Sequence, residues 1–219
     1  MQIKINIKIF FFIIIFSITR QIEIYGILML FAFFHELGHL FAGVCLGFKP
    51  HSLSINPLGL AINFKVGPED YNKKIRNGNI LALKKLIIAS SGPAVNFLLV
   101  FIFSKHGDIN FFNISQEFLI YANLLIGLFN LIPIYPLDGG RIVRNLLHIV
   151  TGLENTYNYT NMISNISIII LTVFSSIIIV YLKNISIILI IGYLWHLVIN
   201  ENKLYAQKMR IYELINSQN

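Results

Sequence analysis

Hydrophobic runs separated by short polar segments cover most of this chain, and they predict helices that cross a membrane. A run of about 20 apolar residues matches the thickness of the bilayer hydrocarbon core. We expect about six transmembrane helices, at approximately residues 3–19, 23–47, 86–104, 117–132, 162–182 and 185–199. A short helix over Arg141 to Val150 is expected between the fourth and fifth spans.

The apolar spacing changes to a period of two between the second and third spans. Residues Ser52 to Val66 alternate apolar with smaller or polar side chains on either side of Asn56-Pro57-Leu58-Gly59. This pattern predicts a β-hairpin, preceded by a turn at Lys49-Pro50 and followed by a polar lead-in over residues 70–85. Because a strand edge cannot face lipid, we expect the hairpin at the membrane surface or against protein.

These patterns predict an all-α polytopic membrane protein with a short membrane-associated β-hairpin. Residues 1–200 form one transmembrane domain, with a core at about 24–150, and residues 201–219 form a short cytosolic tail. The composition agrees, since 56% of residues are hydrophobic and 12% are charged, about half the usual charged share for a soluble domain. The single Cys45 excludes an internal disulfide and a thiolate zinc site.

The basic residues indicate how the chain is oriented. The formal charge of +7 is better explained by basic loops at a membrane face than by nucleic-acid binding. With both termini in the cytosol, six spans place nearly every Lys and Arg on the cytosolic side, and only Arg20, Lys105 and Lys183 lie outside. Residues 17–21 offer no small-residue cleavage site, so we expect the first span to be retained.

The second predicted span carries His35-Glu36-Leu37-Gly38-His39. The two histidines are one helical turn apart, so both imidazoles can reach one Zn²⁺. Glu36 lies beside them, where a carboxylate can take a proton from a water activated by the metal. Ionisable side chains at membrane depth are costly, which favours a functional metal site over coincidence.

A third zinc ligand is expected in Asn130–Arg141, at the end of the fourth predicted span. Its prolines and glycines cannot continue a helix. Unwound backbone at membrane depth is tolerated only where protein or a water-filled cavity covers it. Catalytic zinc usually has three protein ligands, and Asp138 is the candidate for the third. The alternative is that Asp138 is a turn residue or a helix N-cap.

The HELGH motif together with Asn130–Arg141 resembles the site-2 protease family of intramembrane zinc metalloproteases. Gly92, Pro93 and Asn96 in the third predicted span fit the same family pattern. The local run Asn-Leu-Ile-Pro-Ile-Tyr-Pro-Leu-Asp-Gly-Gly-Arg resembles the sporulation stage IV factor B proteases. Those enzymes cleave the membrane-associated precursor of a mother-cell sigma factor.

The resemblance implies a role for each matching residue. It implies that one Zn²⁺ per chain is held by His35, His39 and Asp138. Glu36 corresponds to the family's general base, and Asn130 to an asparagine near the reacting carbonyl. Many members of the sporulation group carry a C-terminal nucleotide-sensing CBS domain, and we expect none here, because only about 20 residues follow the last predicted span.

The function expected from the sequence is that of an intramembrane zinc metalloendopeptidase. Its substrate would be a membrane-associated protein, namely a sporulation sigma-factor precursor, with inhibitory membrane partners and no nucleic acid. It would act in the bacterial cell membrane or in the membrane around the forespore. The residues expected to contact substrate are Gly92, Pro93 and Asn96, together with Ser52, Leu53, Ser54 and Ile55, the last four through strand addition.

Two other classes stay open. A zinc transporter also places His and Glu on membrane helices, but it needs polar residues on several spans, and the fifth and sixth have almost none. The other is a catalytically inactive scaffold for membrane partners. A scaffold has no need to keep four costly groups, His35, Glu36, His39 and Asp138, inside the membrane.

Overall fold

The computed structural model of the chain describes residues 2–5, 7–18, 20, 22–56, 59–65, 78–105, 114–182 and 186–216. The chain forms two compact units, Met1–Leu131 and Ile132–Asn219. Residues 57–58 at the predicted hairpin tip, residues 66–77, which include the first part of the lead-in predicted over 70–85, and residues 106–113 and 183–185 lie outside the described residues.

The first unit combines helices with a small sheet. Its strands are β1 (Gln2–Ile5), β2 (Lys49–Asn56) and β3 (Gly59–Lys65), and its helices are α1 (Lys8–Ile18), α2 (Ile22–Cys45), α3 (Gly78–Lys105) and α4 (Gln116–Asn130). The second unit contains α5 (Asp138–Leu182) and α6 (Ser186–Asn216).

Three helices in the described part of the chain are long and apolar enough to cross a membrane. They are Ile22–Cys45, Asn79–Lys105 and Asn155–Ile179, and they correspond to the predicted second, third and fifth spans. Large apolar side chains stay exposed on them, among them Phe41 at 74% and Phe101 at 60%. Such exposure is expected of helix faces that contact lipid rather than water.

The fourth predicted span corresponds to a helix that is short for a membrane crossing. Helix α4 has 15 residues, a length of about 22 Å at 1.5 Å per residue, whereas the hydrocarbon core is about 30 Å thick. Ser115 is its N-cap, and the Ser115 side chain accepts a hydrogen bond from the Phe118 N–H. The helix ends at Asn130, where the sequence predicts a break.

The N-terminal prediction is wrong. Residues 3–19 do not form one transmembrane helix, because Gln2–Ile5 is a strand and α1 has only 11 residues. Strand β1 pairs in parallel with β2, with Gln2 opposite Ser52 and Ile5 opposite Ile55. Unpaired backbone along β2 therefore recruits the start of the chain into a sheet.

The predicted hairpin is confirmed, and it is part of a larger sheet. Strands β2 and β3 are antiparallel, with Leu53 opposite Ile62, and the order across the three-stranded sheet is β1-β2-β3. The expected turn at Lys49-Pro50 is wrong. The chain turns earlier, at Leu46 and Gly47, where Gly47 has a positive φ of 88°, and Lys49 and Pro50 already belong to β2.

Helices α2 and α3 approach each other closely through small residues. A Cβ added at Gly38 would lie 2.7 Å from the Ser91 carbonyl oxygen and 2.8 Å from Cγ2 of Val95. A buried apolar cluster of Ile27, Phe31, Leu119 and Ala122 joins α2 to α4. The helices of the first unit therefore pack tightly around the HELGH segment.

In the second unit, one continuous helix replaces two helices that the sequence predicts. We expected a short helix over 141–150 and a separate span over 162–182, but α5 runs unbroken for 45 residues. Thr156 and Thr160 are buried, and the Thr160 hydroxyl donates to the Thr156 carbonyl at 2.7 Å. This bond satisfies a polar side chain in a stretch whose polarity resembles a loop. Helix α6 likewise continues from the predicted sixth span into the tail.

We predict that Gly38→Ala destabilises the packing of α2 against α3, because the added methyl group meets backbone that cannot move aside. The free energy of unfolding in detergent should fall by about 1–3 kcal/mol, the usual range for overpacking. Gly26→Ala on the same helix is the matched control, since a Cβ there has nothing within 4 Å. Equal stability of the two variants would contradict the close approach.

Candidate metal centre

His35 and His39 are buried on the face of α2 that meets α3, at 4% and 3% exposure. Each ring is anchored through Nδ1. Nδ1 of His35 lies 2.5 Å from Oδ1 of Asn96, and Nδ1 of His39 lies 2.6 Å from the Ile88 carbonyl oxygen. A carbonyl oxygen can only accept, so the proton of each neutral imidazole is on Nδ1.

This proton placement leaves both Nε2 atoms as acceptors, and they converge. The two Nε2 atoms are 3.2 Å apart, with the rings inclined at 84° to each other. Two nitrogens bound tetrahedrally at about 2.0–2.1 Å from zinc would be about 3.3–3.4 Å apart. The spacing and the converging lone pairs therefore fit a zinc ion.

A chain of buried amides supports His35. Nδ2 of Asn96 donates to Oδ1 of Asn123 at 3.1 Å, and Nδ2 of Asn123 donates to the Leu119 carbonyl at 2.9 Å. Both asparagines have 0% exposure. Their hydrogen bonds are consequently made without competition from water.

Gly92 lets α3 approach the histidines. A Cβ at this position would lie 2.6 Å from Nε2 of His35 and would also strike the His39 ring. The Ser91 hydroxyl, next to it on α3, lies 3.4 Å from Nδ1 of His39. Any larger residue at Gly92 would push the imidazoles away from the position that a metal would occupy.

Glu36 contacts the sheet. The Ile62 N–H of β3 donates to Oε2 of Glu36 at 3.3 Å, so this edge of β3 faces the general base predicted from the sequence. Strand β3 also packs against α2 through the Phe64 ring, which lies at Gly43. The sheet therefore brings an extended backbone edge to the HELGH helix.

Asp138 is the first residue of α5 and is buried, with 4% exposure. The Arg141 N–H bonds to the Leu137 carbonyl at 2.9 Å, so Leu137, rather than Asp138, is the residue that caps the helix. Oδ1 of Asp138 lies 3.5 Å from Nη1 of Arg141. The N-terminus of α5 and the Arg141 guanidinium therefore place positive charge beside this carboxyl group.

The residues that could hold a metal ion in the described part of the chain are His35, His39 and Asp138. All three are buried, and each offers one ligand atom. Two imidazoles and one carboxylate form a donor set that catalytic zinc uses, with a fourth position open. The residues present therefore fit the ion that the sequence predicts.

Asn130 lies at the last turn of α4, where its Nδ2 donates to the Ile126 carbonyl at 3.0 Å. An amide NH₂ group carries two hydrogens, so this bond leaves one for another acceptor. Its proposed place near a reacting carbonyl stays a prediction.

The residues predicted to contact substrate have other neighbours. Asn96 is enclosed between His35 and Asn123, Pro93 is buried on α3, and Gly92 lies against the Nε2 atoms of both histidines. Ser52, Leu53, Ser54 and Ile55 belong to β2, the central strand, which pairs with β1 on one side and β3 on the other. A substrate strand cannot add to a strand whose two edges are already paired.

Sequence reasoning missed Asn123 and the Ile62 N–H. The signal for Asn123 was its polarity inside an apolar helix, where an amide needs a partner. Its position seven residues before Asn130, two helical turns away, was a second signal. No sequence pattern could have shown that the edge of β3 faces Glu36, because that contact depends on tertiary packing.

Comparison with known proteins agrees with this geometry. Residues 104–174 match the model of peptidase family M50, a region that includes Asn130–Arg141 but not the HELGH segment. A zinc metalloprotease of Methanocaldococcus jannaschii is 33% identical over 146 residues, covering 63% of this chain and 38% of that protein. The chain thus spans well under half the length of that relative.

The fold has a solved counterpart. The structure of a site-2 protease from Methanocaldococcus jannaschii matches with a TM-score of 0.66 and 24% identity, covering 91% of this chain and 89% of that one. The sequence matches and the shared fold thus agree with the resemblance carried by the two motifs. Residues 104–174 thus match peptidase family M50, and the chain shares the fold of a site-2 protease.

Proposed function

We propose that this protein is an intramembrane zinc metalloprotease that hydrolyses a peptide bond in or next to a membrane segment of its substrate. The observation that carries the proposal is the convergence of two Nε2 lone pairs at 3.2 Å on a helix that is long and apolar enough to span a membrane. A carboxylate, Glu36, lies next to one of these histidines in the chain.

Each of these residues would have a separate role in hydrolysis. His35, His39 and Asp138 would hold the zinc ion, which when bound acts as a Lewis acid toward water and the scissile carbonyl. Glu36 accepts a proton as the water oxygen attacks the carbonyl carbon. It then passes the proton to the amide nitrogen as the C–N bond breaks. The second N–H of Asn130 is suited to the developing oxyanion.

The edge of β3 is the place where we propose that substrate binds. A helical substrate hides its scissile amide and must be extended before attack. Backbone hydrogen bonds from an open sheet edge hold an extended chain without regard to its sequence. The Ile62 N–H lies on that edge and reaches Glu36, so an added strand would lie beside the general base.

The substrate that we propose is the membrane-associated precursor of a sporulation sigma factor. Support comes from the run Asn130 to Arg141, which resembles that of the sporulation proteases. We further propose a cytosolic C-terminus, and inhibitory membrane partners in the cell membrane or the membrane around the forespore. The distribution of Lys and Arg supports the orientation.

Replacing Glu36 with Gln should abolish cleavage, because an amide cannot accept the proton, and should leave the zinc content of the purified protein unchanged. The measurement is co-expression with a tagged sigma-factor precursor, read by gel shift, together with metal analysis. Glu23→Gln, at an exposed carboxylate in the first turn of the same helix, is the matched control and should cleave normally.

A shorter product from the Glu36→Gln variant would contradict the role of Glu36. Loss of zinc from that variant would make Glu36 structural. If wild-type protein binds zinc but does not process the precursor, the substrate class is wrong. Zinc flux in proteoliposomes without any proteolysis would instead indicate a transporter.

Replacing Ile62 with Pro removes the N–H that donates to Glu36 on the edge of β3, so it should weaken substrate binding at this edge and also lower kcat. Proline is tolerated where the N–H faces away from the neighbouring strand. We expect KM to rise about tenfold or more, the effect of roughly 1.4 kcal/mol of lost binding. Ile62→Val keeps the N–H and is the control. Equal KM values for the two variants would contradict strand addition at this edge.

A further inference from the structure

The amide chain behind His35 has a fixed direction. It ends at the Leu119 carbonyl, a backbone oxygen that can only accept, so Asn123 must turn its NH₂ group toward it. The Asn123 oxygen then points at Asn96 and accepts from its NH₂ group. The Asn96 oxygen is left facing Nδ1 of His35, which must donate.

We propose that Asn123 is a positioning residue that sets the tautomer of His35 through Asn96 and thereby presents the His35 Nε2 lone pair for metal binding. This inference rests on the proposed metal site. Asn123 lies on α4, outside the HELGH motif, and is separated from His35 by one complete side chain.

We call the hydrogen-bonded chain from the Leu119 carbonyl through Asn123 and Asn96 to His35 the relay. It is needed because an amide side chain can present either its oxygen or its NH₂ group to a neighbour. Rotation of Asn96 by half a turn exchanges its oxygen with its NH₂ group at almost no change in shape. An NH₂ group facing Nδ1 would force the proton of a neutral His35 onto Nε2, where a metal would bind. The Asn123 oxygen prevents that rotation, because it accepts only from the NH₂ side of Asn96.

His39 provides an internal comparison. Its Nδ1 donates to the Ile88 carbonyl, a backbone group that cannot rotate end for end. The tautomer of His39 is therefore fixed without a relay. A change at Asn123 should affect one histidine and spare the other, although their Nε2 atoms are only 3.2 Å apart.

Three variants separate the relay from ordinary packing. Asn123→Leu has a similar size but cannot accept from Asn96. In Asn123→Asp, a neutral carboxyl donates to the Leu119 carbonyl and accepts from Asn96, so the relay is preserved. Leu119→Ala is the matched packing control: it removes a side chain with 2% exposure from the same helix but keeps the carbonyl that ends the relay.

The first readout is ¹⁵N NMR of protein with labelled histidines, stripped of metal by chelation. We expect His35 to change from the Nδ1–H to the Nε2–H tautomer in Asn123→Leu, with His39 unchanged. The second readout is zinc affinity by competition with a chromophoric chelator. It should fall about 10-fold or more in Asn123→Leu, as for other groups that orient metal ligands, and remain near wild type in Asn123→Asp and Leu119→Ala.

A double variant tests the same idea if Asn123→Leu folds poorly. In Asn96→Asp, either oxygen of the ionised carboxylate can accept from His35, so rotation of the side chain has no effect. Adding Asn123→Leu to this variant should therefore cause no further loss of zinc affinity. An equal loss in both backgrounds, or an unchanged His35 tautomer in Asn123→Leu, would overturn the relay. Wild-type protein that binds no zinc would instead overturn the proposed function.

Discussion

The structure depends on the orientation of two imidazole rings in surroundings that exclude water. Each ring has its Nδ1 proton committed to an acceptor, Asn96 for His35 and Ile88 for His39, and the remaining lone pairs are therefore directed at one point. In water such bonds would exchange continually. Inside a tightly packed helix pair they persist, because an unmade bond there costs the full desolvation of the polar group. The close contact of α2 and α3 is what maintains that condition.

The HELGH site was largely predictable because its chemistry is local. Helical geometry places His35 and His39 on one face of the helix with Glu36 beside them. The prolines and glycines after Asn130 predict the break in the chain there. The partners that orient the histidines were not predictable, since Asn123 comes from another helix and the Ile88 oxygen is backbone. Asn96 was predicted to contact substrate, and in the structure its side-chain oxygen contacts the His35 ring.

The N-terminus shows why one part of the prediction failed. Gln2-Ile3-Lys4-Ile5 alternates polar and apolar residues, which is a strand pattern. The longer Ile/Phe run that follows is a stronger signal, and the strand exists only because β2 offers it an edge. In α5 the separate helices expected over 141–150 and 162–182 form one helix, and the hydrogen bond from Thr160 to the Thr156 carbonyl satisfies a polar side chain in the stretch between them. Pairing with β2 thus determines the structure of the N-terminus, whereas in α5 a hydrogen bond within the helix accommodates the polar residues.

The glycines at 38 and 92 have a consequence beyond packing. They bring helix backbones together so closely that the histidine lone pairs cannot move apart to relieve their mutual repulsion. A cation bound between the two Nε2 atoms would offset that repulsion, so ion binding would stabilise the folded chain. Removal of the metal would then lower the free energy of unfolding as well as any activity that needs the ion.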